Sequence, residues 1–172
     1  MPEIITAFGD RVPRHTWITD GLPCATYHSR YGNLNGYVRL PVSHPDRVLG
    51  EAMESLPGEP FFFPNGTVEI SRPRSYDYVS VPVPGGWTYG VNLEGWIGWD
   101  TNHVFDCWPL DYRLTHVDPA FIPMIRMMFD DLESLVSGHS VAWTEELVVE
   151  VNTRAAGQLA ASARLVRDDH HS

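Results

Sequence analysis

Apolar and polar residues alternate most cleanly over 87-WTYGVNLE-94. Trp87, Tyr89, Val91 and Leu93 fall on one side and Thr88, Gly90, Asn92 and Glu94 on the other, the period of two expected of a half-buried strand. Just upstream, 76-YDYVSVPV-83 is rich in β-formers, although Pro82 assigns it an edge position or a strand end. Pro84-Gly85-Gly86 supplies a turn between the two, which predicts a hairpin. Gly36–Leu40 and Thr67–Ile70 are further strand candidates. After a turn near Glu94-Gly95, 96-WIGW-99 continues as another strand. Such short connections favour antiparallel pairing.

The pattern changes near residue 118. Asp118 can cap a helix with Pro119 at its first position, and Phe121, Ile125, Met128, Leu132 and Leu135 then recur at helical spacing up to Gly138. A second helix is predicted from Thr144, with Glu145 and Glu146 at its positive end and Val148, Val151, Ala155 and Leu159 on one face. The expected fold is α+β: an antiparallel sheet of about five strands with two C-terminal helices packed on one face. Residues 1–166 read as one globular domain, and 167-RDDHHS-172 as a frayed polar tail. The segment 59-EPFFFP-64 sits in a long loop, where its three phenylalanines are expected to help cover the core.

Composition narrows the function classes. The chain has 172 residues, 43% hydrophobic and 20% charged, as in an ordinary globular protein. Its formal net charge of −10 disfavours direct binding to nucleic acid or to an anionic membrane. No apolar run is long enough to span a membrane, and no secretory signal pattern opens the chain, so the cytoplasm is the expected location. All 12 basic residues are arginine, so any phosphate contact would come from a planar guanidinium. Cys24 and Cys107 are expected as free thiols, and the absence of a CxxC pair argues against a cysteine zinc site. Rossmann and P-loop motifs are also missing, so no cofactor is expected.

Candidate chemistry concentrates in 95-GWIGWDTNHVFDCW-108. Asp100, His103 and Asp106 follow a strand that is expected to end near Asp100, and in a turn their side chains can converge. Two carboxylates and an imidazole could hold a divalent metal, or His103 could act as a general base oriented by an aspartate. The plainer alternative is that Asp100 and Asn102 stabilise a turn and that His103 is structural. No HExxH or second acidic cluster supports a metal, so none is expected. Trp96 and Trp99 alternate out of phase on a strand, which leaves at least one for a surface, an interface or a stacked ligand. Tyr89, His44 and the arginines Arg39 and Arg74 complete the candidate ligand set, the arginines for phosphate.

The stretches 21-GLPC-24, 36-GYVRLPVSHP-45, 85-GGWTYG-90, 96-WIGWDTNHVFD-106 and 143-WTEELVVEVNTRAAGQLA-160 together resemble a family of small uncharacterised proteins of actinobacteria and their phages. Its pattern includes GYV-x-VP-x-x-HP, HGG-x-TY and W-x-GFDCAH-x-GD segments. Asp100, His103, Asp106, His44, Gly86, Thr88 and Tyr89 match that pattern. The family's His before Gly-Gly is Pro84 here, and its Cys after the first Asp is Thr101. The phage setting implies a non-catalytic binder of a small nucleotide-like ligand that sequesters an immune second messenger. Trp96 or Trp99 would stack the base, and Asp100 and His103 would bond base or ribose. A nucleotide hydrolase using Asp100, His103 and Asp106 is the enzymatic alternative, weakened by the missing His. An interaction protein inhibiting a host enzyme through exposed Trp and Phe is the third. Assembly with further copies of the chain stays open.

Overall fold

The computed structural model describes residues 11–47, 59–62, 64–71, 79–90, 94–103, 106–132 and 141–170. Its centre is a five-stranded antiparallel sheet, confirming the α+β class. Strands β1 (His15–Thr19) and β2 (Leu22–His28) form a hairpin around Asp20 and Gly21, both at positive φ. That two-residue turn matches the right-handed twist of its strands. Strand β3 (Leu34–Arg39) follows β2. After an excursion through a small hairpin of β4 (Glu59–Phe62) and β5 (Val68–Ser71), the chain returns as β6 (Trp87–Tyr89) and β7 (Trp96–Trp99). The spatial order is β1-β2-β3-β7-β6.

Several expectations shift. Residues 79–83 are not a strand, so the hairpin partner of β6 is β7 and not the upstream segment. Tyr76 and Tyr78, like Val91–Leu93, lie outside the described residues. Phe62 is 70% exposed and does not cover the core.

Among the described residues, the helical half has three helices where two were expected. Helix α1 (Leu110–His116) lies upstream of the two helices expected. Asp118 caps a 3-10 turn at Pro119–Phe121, accepting from the Ala120 N–H at 3.0 Å. Helix α2 (Ile122–Leu132) then packs mainly on that turn and on α1. Of its stripe, Ile125 is buried but Met128 is 45% exposed, because α2 lies on another helix and not flat on the sheet. Leu135 and Gly138 fall outside the described residues.

A short parallel pair, β8 (Asp106–Cys107) with β9 (Val141–Ala142), leads into α3 (Glu145–His170), which is helical through part of the segment expected to fray. Thr144 caps it, accepting from the Leu147 N–H at 3.1 Å. Val148, Ala155 and Leu159 pack against β1, β2 and β3 as their spacing predicts.

Both faces of the sheet centre are buried. Ile97 and Trp99 join the core beneath α3, while Trp96 joins Ala25, Tyr27 and Tyr37 in a separate cluster. Gly36 is required where β3 passes Trp99, since a Cβ there would lie 2.5 Å from the indole nitrogen and 2.7 Å from Asn152 Oδ1. Asn152 ties helix to sheet. It accepts from Trp99 Nε1 at 2.9 Å and donates to the Tyr37 carbonyl at 3.0 Å.

Candidate functional site

Where β7 ends, Asp100 accepts from the Asn102 N–H at 3.1 Å, an Asx turn that reverses the chain. The reversal brings His103 back over Asp100. The Asp106 N–H then donates to the His103 carbonyl at 2.9 Å as β8 begins. The three side chains converge: His103 Nδ1 stands 3.2 Å from Asp100 Oδ1 and 3.0 Å from Asp106 Oδ2. One ligand atom from each lies within 4.8 Å of the others.

The cluster is graded from core to solvent. The Asp106 side chain is 1% exposed, whereas Asp100 and His103 are 30% and 27% exposed. A buried carboxylate must have donors. Asp106 has three: the His103 N–H at 2.8 Å, the His103 ring at 3.0 Å and Trp143 Nε1 at 2.7 Å. Both carboxylates face Nδ1, so that nitrogen carries a hydrogen and donates to them. Gly85 lies against the ring at Cε1: a Cβ at Gly85 would come within 2.4 Å of Cε1 and 2.7 Å of Nδ1.

A polar scaffold fixes the loop from below. Thr101, fully buried, accepts from Trp108 Nε1 at 2.9 Å and donates to the Leu34 carbonyl at 2.9 Å. The buried Arg113 reaches Asn102 Oδ1 at 3.0 Å and the Tyr31 carbonyl at 3.3 Å. Burial pulls the Arg113 guanidinium down to about 10, with Asp106 opposing the shift, so it stays a cation at neutral pH. Trp108 closes the 95–108 stretch itself, whereas Arg113 and Trp143 come from beyond it, and only their residue types, not their spacing, marked them in the sequence.

The remaining candidates do not gather here. Trp96 and Trp99 do occupy opposite faces, but they are 0% and 1% exposed, so neither indole is presented for stacking. The expectation that one would reach a surface fails because the second face is also covered. Tyr89 is partly exposed and packs edge-on against Tyr37. Arg39 pairs with Trp96 and binds the Glu94 carbonyl at 2.9 Å. It stands three residues from Gly36, about 10 Å along β3 from the strand end that carries Asp100. His44 is buried: its Nε2 meets the Leu159 carbonyl at 2.8 Å and its Nδ1 accepts from the Asp46 N–H at 3.0 Å, a structural role. Arg74 lies outside the described residues. Cys24 and Cys107 are free thiols, and burial pushes Cys24 up to about 11, so it is inert.

Comparison with protein families, curated proteins and solved structures returns no match. Among the described residues, no helix is long and apolar enough to cross a membrane.

Proposed function

We propose that the Asp100–His103–Asp106 cluster is the functional centre, and that it binds a small nucleotide-class ligand without converting it. The carrying observation is the convergence of an imidazole and two carboxylates within 4.8 Å at the end of β7. The exposed part of this cluster is rich in acceptors. It suits ligand groups that donate hydrogen bonds, such as ribose hydroxyls or the exocyclic amine of a base. With both indoles buried and Arg39 remote, the contact proposed is with sugar or base edge. Resemblance to phage-associated proteins extends the reading to sequestration of an immune second messenger in the host cytoplasm, where affinity and abundance suffice. Calorimetry with cyclic nucleotides and ADP-ribose derivatives tests it. Binding that weakens at least tenfold in His103→Ala and Asp100→Asn is expected, and no heat at micromolar protein rejects it.

One observation favours hydrolysis as the second reading. A buried carboxylate orienting Nδ1 of a half-exposed imidazole is the arrangement of a general base. Pro84 stands where the resembling family has His, in the same turn as Gly85, which removes one candidate acid or base from the neighbourhood. Chromatography of the nucleotides after incubation separates the readings: recovery of intact ligand favours binding, and a converted product favours hydrolysis.

A further inference from the structure

Away from the aspartates, a cavity of about 700 Å3 opens between the β2–β3 turn and the C-terminal end of α1. That volume is in the range of small-molecule sites. Its walls include Arg11, His28, Arg30, Tyr31 and His116. In a chain of net charge −10, two of twelve arginines face one hollow. We propose that this cavity is a second binding site, for a phosphorylated small molecule of sugar-phosphate or nucleotide size.

The walls are fixed before any ligand arrives. His28 and His116 stack with centroids 4.0 Å apart and planes 7° from parallel. His28 Nε2 is held by the Tyr112 hydroxyl at 2.8 Å, and Tyr112 in turn stacks on Trp108. The Tyr31 ring is braced edge-on by Phe121, and its carbonyl by Arg113. The Arg30 carbonyl accepts from the Asp118 N–H at 3.1 Å, which anchors the turn to the end of α1.

The donors are in surplus. Arg11 uses one guanidinium nitrogen on the His28 carbonyl and rests near the Tyr27 ring, leaving other N–H groups of its five for a ligand. Among the described residues, neither the Arg30 guanidinium nor the His116 imidazole has a hydrogen-bond partner. The one carboxylate in the lining, Asp118, is engaged in capping the 3-10 turn. Burial lowers both imidazoles from their ordinary value, His28 to about 4, so at neutral pH the pair offers neutral ring donors beside two fixed cations. Guanidiniums in this setting suit a phosphate, which they can bind through paired N–H groups. Two guanidiniums match the charge of a single phosphate group, not a long polyanion.

Inorganic pyrophosphate is the probe, because it has no base or sugar to engage Asp100 or His103. Titration followed by calorimetry and by imidazole 1H–15N spectra should move the His28 and His116 signals. Affinity should fall at least tenfold in Arg30→Glu and in Arg11→Glu. It should be unchanged in His103→Ala and in Arg154→Glu, which makes the same charge change on the exposed face of α3. Arg30→Gln, which removes the charge without reversing it, should fall between. No shift at millimolar pyrophosphate overturns the site, as does equal weakening by Arg154→Glu or movement of His103 in place of His28 and His116. Loss of one of two nucleotide sites in His103→Ala, with pyrophosphate binding intact, would count for both sites separately.

Discussion

Gly85 and His103 are in such close register that the imidazole occupies the space a side chain at Gly85 would fill. A Cβ there would stand 2.4 Å from Cε1 and 2.7 Å from Nδ1. Gly85→Ala must therefore push the ring off its two carboxylates, and it also forces alanine to a φ of +76°. A cost of about 1–2 kcal/mol follows, or roughly 3–6 °C in Tm for a chain of this size. Gly86→Ala is the control: its φ is +79° but its Cβ would meet nothing within 4 Å. Both should lose stability through backbone strain, and only Gly85→Ala should move the His103 ring signals. Equal movement in both variants would refute the steric contact.

Asp106 and Trp143 form the second testable pair. The carboxylate accepts the indole N–H at 2.7 Å in a buried setting, so Asp106→Ala strands that donor along with the His103 donors. The expected loss is about 2–4 kcal/mol, against about 1–3 kcal/mol for Trp143→Phe. Both changes delete the same bond, so the double variant should fall short of the sum by about 1–2 kcal/mol in urea unfolding. Additivity within 0.5 kcal/mol would mean that the bond carries no coupling.

What the sequence could announce was local. The caps at Asp118 and Thr144, and the stripe Val148, Ala155, Leu159, were legible because each depends on neighbours within a turn or two. The meeting of Asp100, His103 and Asp106 was legible for the same reason, since three-residue spacing across a turn needs no distant partner. Strands β1 and β2 went unread although Asp20-Gly21 is a hairpin signal in its own right. The alternation at Trp96–Trp99 correctly separated the two indoles, yet a period of two cannot say whether one face of a sheet is covered or both. Helix α1 was missed because its seven residues are too few to show a periodicity. The cavity was invisible because His28 and His116 meet only through the packing of α1 on the β2–β3 turn.

Asn152 is a polar residue on an otherwise apolar helix face, and its two bonds explain its place there. Removing it in Asn152→Ala leaves Trp99 Nε1 and the Tyr37 carbonyl without partners in the core. The loss should be about 2–4 kcal/mol in urea unfolding. Asn152→Asp keeps the acceptor for Trp99 but sets a carboxylate against the Tyr37 carbonyl, so it should destabilise as well. A tolerant response in both variants would show that α3 is held on the sheet by apolar contact alone.

Acid should loosen the fold through His28. Burial first, and the neighbouring His116 next, hold the His28 imidazole down at about 4, against about 6.5 in an unfolded chain. Between those values the unfolded chain binds a proton that the folded one refuses, so stability rises with pH across the window. The contribution is complete above about pH 6.5 and drains away as pH falls toward 4. Because the ring is only partly buried, about 1–2 kcal/mol is expected after allowance for solvent screening. Glu145 adds to the acid loss at lower pH, since its hydrogen bond with Arg14 holds its carboxyl below the usual value. Urea unfolding of the wild type and of His28→Gln at pH 7.5, 5.5 and 4.5 isolates the histidine. The wild type should lose about 1–2 kcal/mol more than the variant between the first and last of these. Parallel losses in the two proteins would place the acid sensitivity elsewhere, and an NMR titration midpoint for His28 near 6.5 would remove its cause.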